Sequence, residues 1–162
     1  MNQKLERYLN DHLAGSSGAL LLIGHLIDSL KDPLAVEFFQ KFKTDVERDQ
    51  RLLEFLLTTV GLQPSGVLKT AGNLTARMGS LKLMWEGLEP GKLGLFEALE
   101  MLTLGVQGKR LLWVALREIA STYPAWKEIN FTDLEADAIR QRDGIEVRRI
   151  QAAHQTFASG HS

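Results

Sequence analysis

Apolar side chains recur every three or four residues along most of this chain, the period of helices with one buried face. Leu5, Leu9, His12, Ser16, Ala19, Ile23, Ile27 and Leu30 fall on one side of a first helix, predicted from about Asn2 to Leu30. Asp32-Pro33 marks the next start, because Asp32 can cap a helix whose first position suits Pro33. The second helix carries Phe39, Phe42, Val46, Leu53, Leu56 and Val60 and should stop at Gly61. After a connection from Leu62 to Lys92, the third helix runs to about Ser121 with Leu95, Leu99, Leu102, Val106 and Trp113 inward. Tyr123-Pro124 ends it, and Thr132 or Asp133 is expected to cap a fourth helix bearing Leu134, Ala138, Ile145, Ala152, Ala153 and Phe157.

Helices of this length are about 40 Å long at about 1.5 Å per residue, so the short break at Asp32 imposes an antiparallel hairpin. The long connection has its own helical pattern in Val67, Leu68, Ala71, Leu74, Met78 and Leu81, opened by Pro64-Ser65. A link of that length can climb the bundle and deliver the third helix parallel to the second. The expected fold is therefore all-α: a ferritin-like four-helix bundle, up-down-down-up, with an additional helix in the crossover. One domain over residues 1–158 and a frayed tail at 159–162 complete the prediction.

The polar residues on the inward faces are the informative ones. At about 100° per residue, His12 lies at the centre of the first stripe with Ser16 beside it, and Asp49 lies between Phe42 and Leu56 with Asp45 at the edge. Arg110 and Arg117 project onto the direction of Leu99, and Arg142 and Arg149 lie beside Ala138 and Ile145. In the ferritin-like order, His12, Asp49, Arg110 and Arg142 could share one layer, with Arg149 toward the other end. A buried carboxylate needs a partner, and a guanidinium is an ideal one. An internal Asp49–arginine ion pair is the plain expectation. Arginines reaching out to solvent, a pocket for a small anionic ligand, and a weak metal site at His12, Asp45 and Asp49 stand as alternatives. Gly15, Gly18, Gly105 and Gly108 sit inside predicted helices, where each costs about 0.5–1 kcal/mol against alanine. Close backbone packing is the expected reason, and room for a ligand the other.

Composition narrows the function classes. At 162 residues with 44% apolar content, the chain can bury a core unaided. The most hydrophobic short run, Ala19 to Ile23, is far too short to span a membrane, and the polar start at Asn2-Gln3-Lys4 is unlike a signal peptide; cytoplasmic residence is expected. With 19 basic and 20 acidic side chains, the net charge is -1. Lys69, Arg77 and Lys82 are too sparse a basic patch to argue for nucleic acid. Cysteine is absent, which removes disulfides and thiolate chemistry.

A di-iron bundle needs Glu-x-x-His on two helices, and Leu9, Leu22, Gln151 and Ala158 stand three residues before the four histidines. No cofactor is expected, and a di-iron site is judged absent. Glu146-x-x-Arg149 looks like a local ion pair, and Ser16 four residues from His12 lacks an oxyanion hole. Leu21-Leu22, Leu111-Leu112 and Ile119 widen the apolar faces, so the crossover helix or a second subunit should cover them.

The run Tyr8-Leu9-Asn10-Asp11-His12-Leu13-Ala14-Gly15, the long second helix and Gln107-Gly108-Lys109-Arg110-Leu111-Leu112-Trp113 resemble a small bacterial family of ferritin-like proteins of uncharacterised function. The resemblance spans nearly the whole chain. It implies a helical bundle, often dimeric, and an accessory or binding role, because the ligands of iron-handling relatives have no match here. A metal-free, non-catalytic homodimer is the expectation, with anion binding by the arginines and a degenerate metal site as rival functions.

Overall fold

The computed structural model describes residues 2–64 and 87–158, and four long helices make up most of them. They are α1 (Gln3–Ser29), α2 (Pro33–Thr59), α3 (Leu93–Ile119) and α4 (Phe131–Ala153). No strand occurs among the described residues. The crossover helix expected around Val67–Leu81, the basic residues within it and the tail at 159–162 lie outside the described residues.

Local chemistry sets the helix ends. The Asn2 side chain accepts the Leu5 amide at 3.2 Å, and Asp32 accepts that of Leu34 at 3.3 Å with Pro33 opening α2. The other end of α2 is a Schellman closure: Leu62 N–H donates to the Leu57 carbonyl at 3.0 Å and Gly61 N–H to that of Thr58 at 3.1 Å. Gly61 supplies the required φ of +73°, and Leu62 buries itself as the chain leaves. At the start of α3, the Leu95 amide is satisfied by the Gly87 carbonyl. α4 is capped by Asn130, which accepts from the Asp133 amide at 3.1 Å and donates to its carboxylate at 2.8 Å. The cap is thus earlier than Thr132 or Asp133; Asp133 instead lies in the first turn, where its charge suits the helix dipole.

One apolar cluster runs through all four helices, from Leu5, Leu9 and Ile23 through Phe39 and Leu56 to Leu99, Trp113 and Ile145. α1 packs along α2, α3 along α4, and α1 also meets α3. The C-terminal end of α2 abuts the turn after α3, where Trp126 Nε1 donates to Thr59 Oγ1 at 3.0 Å and Trp126 packs against the tilted ring of Tyr123 and edge-on against Phe131. Near the start of α2, Phe38 lies against Gly144 in α4, with the Arg148 guanidinium 3.8 Å above its ring. The same pairing buries Arg148 enough to lower its pKa, against the opposing charge of Asp32.

The interior glycines do not behave alike. A Cβ at Gly144 would lie 2.7 Å from Phe38 Cε2, whereas one at Gly15, Gly105 or Gly108 would meet nothing within 4 Å among the described residues. Close packing therefore explains Gly144 and fails for these three, contrary to expectation. Gly144→Ala should lower stability by about 1–3 kcal/mol through overpacking, despite the better helix propensity of alanine. Gly15→Ala and Gly105→Ala should each raise it by about 0.5–1 kcal/mol. Urea melts of the three variants test this; a stabilised Gly144→Ala would show that the Phe38 ring moves aside freely.

Candidate functional site

The polar centre is built on Asp49, which is 5% exposed. Its Oδ2 accepts from Lys109 Nζ of α3 at 2.7 Å, and its Oδ1 accepts from Nε and Nη2 of Arg48 at 3.0 and 2.8 Å. Lys109 Nζ also donates to Gln141 Oε1 of α4 at 2.5 Å, and Gln141 is itself buried. Arg48 reaches on to Asp137 of α4 at 3.4 Å and to Asp45 at 3.8 Å. Three helices are thereby joined at one level through a single ammonium. The buried charge is tolerable because each member is paired and hydrogen-bonded.

The expected ion pair at Asp49 is present, but with different cations. Arg110 and Arg142 lie beside Lys109 and Gln141 at this level but do not reach Asp49, because each is drawn to a carboxylate beside the α3–α4 seam, as is Arg149 farther along the bundle. Arg110 Nη2 lies 3.0 Å from Glu135 Oε1, and Arg117 Nη1 donates to Oε2 of the same group at 2.8 Å. The hydrogen bond from Arg117, followed by that from Arg110, holds the Glu135 carboxyl below its usual range although desolvation opposes them. Arg142 donates to Asp143 at 2.9 Å and to Gln107 Oε1 at 3.0 Å. Arg149 grips Glu146 through two bonds of 2.7 Å and reaches Glu100 at 3.2 Å. The local pair read from Glu146-x-x-Arg149 is therefore formed. Asp45 stays at the edge of the network, through its contact with Arg48.

A seam signal marks the residues that the helical projection passed over. Leu95, Leu99, Leu102, Val106, Lys109, Trp113 and Leu116 alternate steps of four and three, as do Phe39, Phe42, Val46, Asp49, Leu53 and Leu56 on α2. On α4 the same series is Phe131, Leu134, Ala138, Gln141, Ile145, Arg148 and Ala152. Lys109, Gln141 and Arg148 are seam positions, and Arg110, Arg142 and Arg149 each follow one residue later. A repeat of 3.5 residues, in place of 3.6, points to the correct partner.

On α1 the seam series runs through His12, Ser16 and Ala19, and here the core thins. No α1 side chain is buried from Ala14 to Leu21, and none on α3 from Gln107 to Leu111. The result is a cavity of about 390 Å³ between α1, α2 and α3. Level by level, its described walls run from His12, Leu53 and Trp113, through Ser16, Gln50 and Lys109, to Leu22, Phe42 and Leu102. Gly15, Gly18, Gly105 and Gly108 line it too, so room is what the glycines provide. Gln50 Nε2 donates to the hydroxyls of Ser16 and Ser17 at 2.9 and 3.0 Å, closing one side.

His12 packs edge-on against Tyr8 with ring centroids 4.8 Å apart, and burial lowers its pKa from 6.5 against the opposing charge of Asp11. Its imidazole is therefore neutral near pH 7. Trp113 is 1% exposed, and neither its buried indole N–H nor Arg110 Nε has an acceptor among the described residues. The paired leucines divide as helices require: Leu22 and Leu112 are buried while Leu21, Leu111 and Ile119 remain exposed. Among the described residues, no three histidine, aspartate or glutamate side chains are grouped to hold a metal ion. No described helix is long and apolar enough to cross a membrane.

No protein-family model, curated protein or solved structure matches the chain.

Two predictions follow from the geometry. Asp49→Ala should cost about 3–5 kcal/mol by stranding Lys109, and Asp49→Leu combined with Lys109→Met should recover most of that loss. Urea denaturation of both variants checks it, and a cost under about 1 kcal/mol for Asp49→Ala would refute the pairing. The second concerns His12, whose folded pKa lies below its unfolded value. As pH falls, the unfolded imidazole takes its proton first, so stability is full above 6.5 and is lost as pH falls through the folded pKa. Between about pH 7.5 and 5.5, His12→Phe should lose less stability than the parent protein. Equal losses would remove His12 as the source.

Proposed function

We propose that this chain is a non-catalytic binding protein that holds a small, largely apolar molecule in the cavity between α1, α2 and α3. The observation that carries this reading is the cavity itself. Its walls combine a long apolar surface with a few polar groups, the usual make-up of a small-molecule site. Space there is maintained at a cost, since helix-interior glycines at two facing levels sacrifice stability that alanine would restore. The charges beside it neutralise each other, Asp49 against Lys109, which favours holding a molecule over transforming one.

The helix directions support a ferritin-like order as the scaffold. The Trp126–Thr59 bond places the ends of α2 and α3 together, and the Phe38–Gly144 contact places the start of α2 beside the later half of α4. With α1 and α2 joined by a short turn, these contacts fit an up-down-down-up bundle. On this reading the seam positions that could face a cofactor instead form a hydrogen-bonded crosslink and, beside it, a binding space.

N-phenylnaphthylamine, a neutral apolar fluorophore, provides the test. Its emission should rise on mixing with the protein, and Ala19→Phe or Gly108→Phe, which fill the cavity, should abolish the rise while circular dichroism stays helical. Unchanged enhancement in both folded variants, or none in the parent protein, would refute the assignment.

A further inference from the structure

The cavity is not uniform along its length, and the asymmetry says what kind of molecule fits it. At one end, within about two helical turns, stand His12, Ser16, Gln50, Asp49 and Lys109. At the other stand Ala19, Leu22, Phe42, Val46, Met101 and Leu102. From Ser16 to Leu22 the helix advances about 9 Å, enough for a short chain to lie along the bundle axis.

The polar end has unspent hydrogen-bonding capacity. An ammonium carries three donors, and the bonds of Lys109 to Asp49 and Gln141 use two of them. No hydrogen bond engages the His12 ring nitrogens among the described residues, and burial keeps the imidazole neutral, with one donor and one acceptor. The available donors thus call for an acceptor on the ligand. Charge then decides the kind of acceptor. A carboxylate drawn to Lys109 would sit close to the buried carboxylate of Asp49, which already accepts from that ammonium at 2.7 Å. Like charges at that separation in a poorly solvated interior repel strongly. A cationic head would meet Lys109 itself.

Resting on the binding role proposed above, we propose that the ligand class is an uncharged amphiphile: a short apolar chain ending in a carbonyl-type hydrogen-bond acceptor. The chain lies toward Leu22, Phe42 and Leu102, and the acceptor oxygen receives the third N–H of Lys109 and the imidazole N–H of His12. Anion binding, a rival reading of the inward arginines, is set aside here because those arginines hold carboxylates of their own.

Displacement of bound N-phenylnaphthylamine by four probes of equal chain tests the class: methyl octanoate, octanoate, octylammonium and octane. Methyl octanoate should displace the fluorophore at a concentration about five- to tenfold lower than octane, the worth of one well-made hydrogen bond. It should also outcompete octanoate and octylammonium at neutral pH. His12→Phe should reduce the ester-over-octane preference, and His12→Gln, which keeps an N–H donor, should restore part of it. Lys109→Met with Asp49→Leu, which removes the donor without stranding a charge, should reduce the preference further. Equal displacement by ester and octane, a preference for octanoate, or a preference indifferent to all three variants would overturn the ligand class while the fluorophore still binds. Absence of fluorophore binding would instead remove the cavity assignment on which the class rests.

Discussion

The ammonium of Lys109, held between Asp49 and Gln141, is the constraint around which the rest of the molecule is arranged. A charge taken from water must find full compensation within hydrogen-bonding reach, or the loss exceeds the margin by which a domain of this size is stable. Here compensation comes from two other helices, so α2, α3 and α4 cannot slide along one another without stranding it. Apolar seams tolerate shifts between similar residues; a lysine pinned at 2.7 Å does not. The net energetic worth of such a crosslink can be small, and its effect is to select one register among many of similar burial.

The neighbouring arginines belong to the same logic. With the interior position of each level already occupied, Arg110, Arg142 and Arg149 lie one residue past the seam, where long side chains reach carboxylates at the helix flanks. Glu135 serves two guanidinium groups, Arg110 and Arg117, and thereby ties positions about two turns apart on α3 to the beginning of α4. The α3–α4 hairpin is thus fastened by charge along its edges and by Trp113, Phe131 and Trp126 at its closed end.

Much of the all-helical character was legible from periodicity, because the stripes are long and their stops are chemically distinct: Asp32-Pro33, Gly61 and Tyr123-Pro124. Asp49 was also legible, lying on an otherwise apolar stripe. Its partner was not. Projection at 3.6 residues per turn drifts by roughly 20° per heptad against a seam that repeats every seven. Over the eleven residues from Leu99 to Arg110 that drift is enough to pass over Lys109 and select the residue after it. The Asn130 cap was missed for another reason: Thr132 and Asp133 are equally good capping types, and spacing alone does not say which amide points back. The cavity was least legible, since a glycine that permits contact and one that leaves a void are the same letter. Only the facing helix tells Gly144 from Gly108.

The void between α1, α2 and α3 also makes volume a thermodynamic variable for this protein. A chain that folds around a partly open cavity of about 390 Å³ packs less densely there than its atoms allow. Hydrostatic pressure therefore acts against the native state through this one region, in proportion to the void that unfolding eliminates. An occupant removes that susceptibility without making a new covalent or ionic link.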